Sequence, residues 1–291
     1  MVIELADYLE IKKREVEKKL DEILPQESNV DLASRHCTLA PAKRIRPILT
    51  LATTEILNGK VEDALLPACA VELIHSYSLI HDDLPCMDDD DFRRGIPSVH
   101  KAFNEAEAIL AGDQLLTYAF EILTSSPNLS AEQKIRLIEE LAKASGRQGM
   151  VGGQAMDIQS GNEGFNLHAL ETLHQKKTGA LIETSIKFGA IIADASSQVM
   201  DALHTFGNSM GLAFQIQDDI LDVTQSEAKH GRTVGSDLLN KKTTYVSLLG
   251  LDGAEEHAKK HTDLAIEALN GIPHNTDLLK NIAESLLSRE T

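Results

Sequence analysis

The chain has 291 residues, a formal net charge of −17 and 42% apolar residues, with only 4% aromatics and no tryptophan. Such a length can bury one large core built from Leu, Ile and Ala. The acidic balance argues against nucleic acid, whose phosphates need Lys and Arg, and against an anionic membrane surface.

Helical periodicity dominates from the start. Residues 3–24 carry Ile3, Leu5, Leu9, Val16, Leu20, Ile23 and Leu24 among charges, and Pro25 closes the run. This amphipathic, charged start does not read as a secretory signal. A polar loop follows. Pro47 to Leu57 predicts a second helix, ended by Asn58-Gly59, and the basic residues Lys43, Arg44 and Arg46 precede it. Residues 62–83 predict a long apolar helix that Pro85 cannot continue. A helix over 98–123 ends in Ser125-Ser126-Pro127-Asn128. Ser130 with Gln133 three residues on is a capping-box pattern that opens a helix over 131–158. Gly146, Gly149, Gly152 and Gly153 within it predict a bend or a close backbone approach. Residues 160–166 read as a loop, 167–192 as a helix and 196–223 as a long apolar one. The polar stretch 224–241 is long enough for a functional lid. Two further helices are parted by Gly271-Ile272-Pro273. No stretch alternates as a strand does. No window approaches the apolar length that spans a bilayer. Cys37, Cys69 and Cys86 form an odd set without CxxC spacing, which fits a reducing cytoplasm. The expectation is one all-α domain over 1–291, an antiparallel helical bundle.

The chemistry concentrates in two acidic stretches. HDDLPCMDDDDFRRG at 81–95 packs Asp82, Asp83, Asp88, Asp89, Asp90 and Asp91 within ten residues, next to Arg93 and Arg94. QIQDDILD at 215–222 sets Asp218, Asp219 and Asp222 in an apolar helix, with Gln215 one turn before them. Crowded or buried carboxylates are costly unless cations sit beside them. Oxygen ligands without a His/Cys set favour Mg²⁺ or Ca²⁺, and Mg²⁺ completes its shell with water and substrate phosphates. Two such clusters would hold a diphosphate between them. The Pro85 break should return Asp88 to Asp82, and Asp89 to Asp91 read as solvated surplus. A Ca²⁺ loop fits poorly, because the alternating acids and the terminal Glu are missing. Arg93 and Arg94 suit bidentate binding of a diphosphate, or salt bridges to the acids. Lysines alone are usually solvated, and His75 and His81, six apart, do not share a helix face.

These motifs resemble the trans-isoprenyl diphosphate synthases, and among them the bacterial-type farnesyl diphosphate synthases. The likeness rests on DDLPCMD at 82–88 followed by FRRG, FQIQDDILD at 214–222, KRIRP at 43–47, HSYSLIHDD at 75–83, HKAFNEAEAILAGD at 100–113, GGQAMDI at 152–158, KKTGALI at 176–182 and KKTTYVSLLG at 241–250. The resemblance implies antiparallel helical bundles, each around a central cavity and usually paired as a homodimer, with three Mg²⁺ ions that Mn²⁺ could replace. Asp82 and Asp88 match ligands of two ions and Asp218 the main ligand of the third, supported by Asp83, Asp219 and Asp222. Arg93, Lys177 and Lys242 match groups on an allylic diphosphate. Lys43, Arg46, His75 and Arg94 match the pocket for isopentenyl diphosphate, and Thr178 and Gln215 line the forming carbocation. The product gauge falls at Tyr77 and Ser78, upstream of the first aspartate. A bulky Tyr77 resembles the farnesyl-forming members, with a C20 product as the nearest rival. The chain departs from the family at Pro41-Ala42, where Gly-Gly is usual, at Arg232, where lysine is common, and in its less basic tail. Two other classes compete: all-α metal phosphohydrolases, which need more metal-binding histidines, and a non-catalytic helical partner subunit, which intact acids argue against.

Overall fold

The computed structural model describes residues 4–160, 165–224 and 243–287. The described chain is almost wholly helical and divides into two compact units, Met1–Glu139 with Ile191–Ala193, and Glu140–Ala190 with Asp194–Thr291.

In the first unit, α1 (Leu5–Ile23), α2 (Asn29–Thr38), α3 (Ile45–Ile56) and α6 (Glu105–Thr124) pack on α4 (Val61–Asp82) or on one another. Helix α4 is apolar on nearly every face, which suits a helix surrounded by others. Length and composition alone would let it cross a bilayer, contrary to the sequence expectation, but 67% of its 18-residue apolar window is buried inside the protein. On α6, which packs on it, the small residues Ala108, Ala111 and Gly112 are buried. A Cβ on Gly112 would lie 2.1 Å from His81 Nε2, and that nitrogen sits 3.0 Å from the carbonyl of Ile109. His81 is therefore a pin between α4 and α6.

Helix α2 has no counterpart among the predicted elements. Ser28 opens it with a reciprocal capping box, its Oγ accepting from Asp31 N at 3.1 Å while Asp31 accepts from Ser28 N at 2.9 Å. Helix α3 starts two residues before Pro47. The predicted helix over 98–123 breaks into α5 (Val99–Ala102) and α6, because Asn104 turns its side chain to Glu107 N at 2.9 Å and caps a new start. One short hairpin departs from the all-helical expectation: β1 (Phe92–Arg93) pairs antiparallel with β2 (Ile96–Pro97). Its two-residue turn, Arg94-Gly95, has positive φ at both positions, 55° and 79°, the type I′ signature.

Helix α7 (Ala131–Ser145) carries the chain from the first unit into the second. Its capping box is present, with Gln133 N donating to Ser130 Oγ at 3.2 Å and Ser130 N to Gln133 Oε1 at 3.0 Å. The glycine-containing stretch 146–149 ends it before α8 (Met150–Ser160). The predicted helix over 167–192 is α9 (Leu167–His174), a π turn (Gln175–Gly179) and α10 (Ala180–Ile192). Then come α11 (Ser197–Thr224), α12 (Tyr245–Leu269) and α13 (Asp277–Leu287). Leu170, Ile216, Ile220, Tyr245, Ala254 and Ala258 form a core joining α9, α11 and α12.

Candidate active site

In the first unit, Asp83 N still donates to Leu79 O as the last turn of α4, and the chain then folds back. The Asp88 N–H donates to the Asp82 carbonyl at 2.8 Å, the return that the Pro85 break implies. Asp89 takes a positive φ of 52° to complete the turn. The side chains then part. Asp88 is exposed and Asp82 half-buried, whereas Asp83 is 1% exposed. Arg93 donates from Nε to Asp83 Oδ1 at 2.8 Å, again from Nη2, and from Nη2 to Asp90 Oδ2 at 2.7 Å. Burial disfavours the Arg93 charge, but the Asp83 hydrogen bond and the two carboxylates outweigh it and hold the guanidinium above its ordinary value. Asp90 and Asp91 are thus not simply surplus: Asp90 helps fix Arg93, and Asp91 pairs with Lys101 at 2.8 Å.

The hairpin turn sends Arg94 the other way. Its Nη2 lies 3.3 Å from His75 Nε2, and its Nη1 is buried with no hydrogen-bond partner among the described residues. Burial, reinforced by Arg46 and Arg94, holds His75 well below the usual histidine range. The neutral imidazole therefore offers Nε2 as acceptor. The Arg46 and Arg94 charges both bear on the neutral His75, and the buried Arg94 Nη1 is a donor of the kind an anion satisfies. Lys43, three residues before Arg46, is exposed. Arg44 belongs elsewhere: it is 2% exposed, paired with Glu72 at 2.6 Å and donating to the Ala40 carbonyl at 2.8 Å. Tyr77 is buried and edge-on to the His81 ring at 5.8 Å. Burial, and then Asp82, push its hydroxyl up to about 12. The Ser78 hydroxyl donates to the His75 carbonyl at 2.8 Å.

In the second unit the acids project from an unbroken helix. Asp218 is half-buried, while Asp219 and Asp222 are buried. Asp219 Oδ2 accepts the Tyr245 N–H at 2.8 Å and so anchors the first turn of α12. Gln215 Oε1 accepts from Thr178 Oγ1 at 2.9 Å and lies 3.2 Å from His174 Nδ1, which turns its amide nitrogen towards Asp218 Oδ2 at 3.3 Å. Burial lowers His174 to about 4 despite the Gln215 contact, so the ring is neutral. The π turn aims Lys177 and Thr178, and such single-turn bulges recur at functional sites. Lys177 Nζ meets Asp157 Oδ2 at 2.6 Å. Two glycines bring the surrounding backbone close: a Cβ on Gly153 would lie 2.4 Å from Lys177 N, and one on Gly211 2.9 Å from Gly179 Cα. Asp157, inside the GGQAMDI motif, and His174, just before KKTGALI, are neighbours to which reading the sequence for motifs assigned no role, since their contacts form only when α8, α9 and α11 are side by side. Lys242 and Arg232 lie outside the described residues.

Each unit thus holds an oxygen-only acidic set next to cationic or hydrogen-bonding side chains. That donor chemistry fits a hard divalent cation such as Mg²⁺ and a phosphate-rich ligand. The class this defines is an all-α protein equipped for metal-assisted handling of diphosphates. Residues 27–284 match the family described as Polyprenyl synthetase, and the chain belongs to it. It is 42% identical over 295 residues to the farnesyl diphosphate synthase of Bacillus subtilis (strain 168), covering 100% of both chains. It is 45% identical over 268 residues to a chloroplastic geranylgeranyl pyrophosphate synthase of Capsicum annuum, covering 91% of this chain and 73% of that one. A solved geranyltransferase from Helicobacter pylori, complexed with magnesium and isoprenyl diphosphate, superposes with a TM-score of 0.85 at 34% identity, covering 99% of this chain and 98% of that one.

Proposed function

We propose that this chain is a Mg²⁺-dependent prenyltransferase that condenses isopentenyl diphosphate with dimethylallyl and geranyl diphosphate to give farnesyl diphosphate. The observation that carries this reading is the 42% identity to the Bacillus subtilis farnesyl diphosphate synthase along the whole of both chains. The more exposed acids, Asp82, Asp88 and Asp218, are assigned to the metal ions, three by family likeness. Asp83, Asp219 and Asp222 support them. Mg²⁺, when bound, draws charge onto the leaving diphosphate. Arg93, Lys177 and Lys242 are assigned to that same diphosphate, whose allylic C–O bond breaks with the electron pair leaving on oxygen. Thr178 and Gln215 offer oxygen dipoles to the allylic cation. Lys43, Arg46, His75 and Arg94 hold isopentenyl diphosphate, and the double bond of that substrate forms the new C–C bond. Loss of a proton to the released diphosphate completes the reaction, so no protein nucleophile is required. The same family likeness supports a cytoplasmic homodimer with one catalytic domain over 1–291.

Chain length is read from Tyr77. Five residues of helix span about 7.5 Å, so a growing tail leaving Asp82 soon meets that ring. The identity to the Capsicum annuum enzyme keeps a C20 product as the alternative. Incubation with isopentenyl and dimethylallyl diphosphates plus Mg²⁺ should yield a C15 diphosphate, and chelation should abolish it. Tyr77→Ala should lengthen the product. Inorganic phosphate without a longer prenyl chain would overturn the transferase reading, whereas a wild-type C20 product would overturn only the chain length.

A further inference from the structure

At the edge of the α9–α11–α12 core, Glu171 follows Leu170, and His257 and His261 occupy successive turns of α12, with His257 directly before Ala258. Spacing of four puts both imidazoles on one face. One donor atom from each of the three residues can be chosen so that all lie within 4.8 Å of one another, and each residue is half-buried. The Nδ1 atoms of both histidines are buried without a hydrogen-bond partner among the described residues. Buried polar atoms are satisfied in the great majority of cases, so two such orphans in one cluster need a reason. Burial also lowers His261, against the pull of Glu171, which favours the neutral imidazole a metal requires. No residue of this cluster belongs to the aspartate motifs or to the resemblance that identified them.

We propose that Glu171, His257 and His261 form a site for a borderline divalent metal, Zn²⁺ by preference, that ties α9 to α12. Two nitrogens and one carboxylate are a zinc-type set, whereas the oxygen-only aspartate motifs suit Mg²⁺. The two kinds of ion are thus sorted by ligand chemistry. Three protein ligands leave a fourth position for water. Tetrahedral donors about 2.0–2.1 Å from zinc lie roughly 3.3 Å apart, so small side-chain rotations close the set. The tie has a mechanical reach. His261 faces His257 with ring centroids 6.4 Å apart, His257 faces Tyr245 at 6.4 Å, and Tyr245 stacks on His174 at 5.6 Å. His174 touches Gln215, so zinc would brace the ring ladder that ends beside Gln215 and Thr178. This proposal stands whether or not the prenyltransferase reading does.

The test is a Zn²⁺ titration of chelator-stripped full-length protein by calorimetry, with Mg²⁺ in excess to occupy the aspartates, together with Tm measurements. The expected result is one tight equivalent per chain and a raised Tm. His261→Gln and Glu171→Gln should each weaken that binding by at least about 10-fold. The Asp82→Ala/Asp218→Ala double variant should bind zinc as the wild type does. Co²⁺ should give tetrahedral ligand-field bands that vanish in His261→Gln. If His261→Gln fails to fold, the near-isosteric Glu171→Gln decides. Zinc affinity unchanged in both single variants, or zinc lost in the aspartate variant, overturns the proposal, as does the absence of a tight equivalent in the wild type.

Discussion

The two acidic motifs reach the same local arrangement by opposite means. In the first, a helix ends, proline forbids its continuation, and a tight return brings Asp88 N to Asp82 O. In the second, α11 never breaks, and the helical repeat alone spaces Asp218, Asp219 and Asp222. Yet each begins with an adjacent pair divided in the same way. The leading acid, Asp82 or Asp218, is half-buried, and the second, Asp83 or Asp219, is buried and held by a protein donor. For Asp83 that donor is the Arg93 guanidinium, and for Asp219 it is the Tyr245 N–H at the start of α12. A buried carboxylate left without such a donor would be protonated or would destabilise the fold. In both motifs, then, one acid of the pair secures the neighbouring element and the other faces a more open side.

The largest expected effect tests that division. Under the proposed function, Asp82→Ala and Asp218→Ala should each lower prenyl transfer by at least about 10³-fold, because a bound metal supplies several kcal/mol of charge stabilisation. Both should keep wild-type circular dichroism and lose little stability. Asp83→Ala and Asp219→Ala should lose stability as well as turnover, each removing an anchor. Single-turnover kinetics beside urea denaturation separates the two outcomes. Equal stability losses in the leading and second acids would break the comparison.

The same split between anchoring and presented residues explains what the sequence did and did not disclose. The aspartates, the Pro85 break and the long apolar helices were legible because each is a local rule: a carboxylate pattern, a missing N–H, a 3.6-residue period. Helix α2 was not, since its buried residues include Asp31, Ser34 and Thr38 and it shows little apolar stripe. Two of those polar groups are satisfied from α6, Gln114 Nε2 reaching Asp31 Oδ1 at 2.6 Å and Ser34 Oγ the Ala111 carbonyl at 3.4 Å, whereas Thr38 Oγ1 is buried without a hydrogen-bond partner among the described residues. The hairpin escaped notice because arginine, rather than Asn or Asp, stands at the first turn position. His257 and His261 have a readable spacing of four, but Glu171 joins them only through the packing of α9 on α12.

The basic stretch at the start of α3 is the clearest case of sequence ambiguity. Lys43, Arg44 and Arg46 look equivalent in KRIRP, yet Arg44 is sealed against Glu72 with side-chain exposures of 0% and 2%. Arg44→Ala should cost about 3–5 kcal/mol, because it strands a buried carboxylate. An Arg44→Met/Glu72→Met pair should recover most of that loss. Arg46→Ala should leave denaturation midpoints nearly unchanged and raise KM for isopentenyl diphosphate. Chemical denaturation beside steady-state kinetics distinguishes them, and a stable Arg44→Ala variant with a raised KM would place Arg44 among the binding residues instead.

The smallest effect concerns how the second motif is braced. The α11 backbone can lie against the π turn only because Gly211 lacks a side chain; an added Cβ would stand 2.9 Å from Gly179 Cα, an atom that cannot rotate away. Gly211→Ala should therefore cost about 1–3 kcal/mol through overpacking. It should also displace Thr178 from Gln215, so turnover falls more than the remaining stability explains. Gly271→Ala is the control, because its Cβ would meet only the Ala268 carbonyl at 3.8 Å, an ordinary contact. If Gly211→Ala matched that control in both stability and turnover, the π turn would be positioned by its ion pair to Asp157 rather than by the glycine contact. The unbroken helix would then owe less to backbone fit than the first motif owes to its proline.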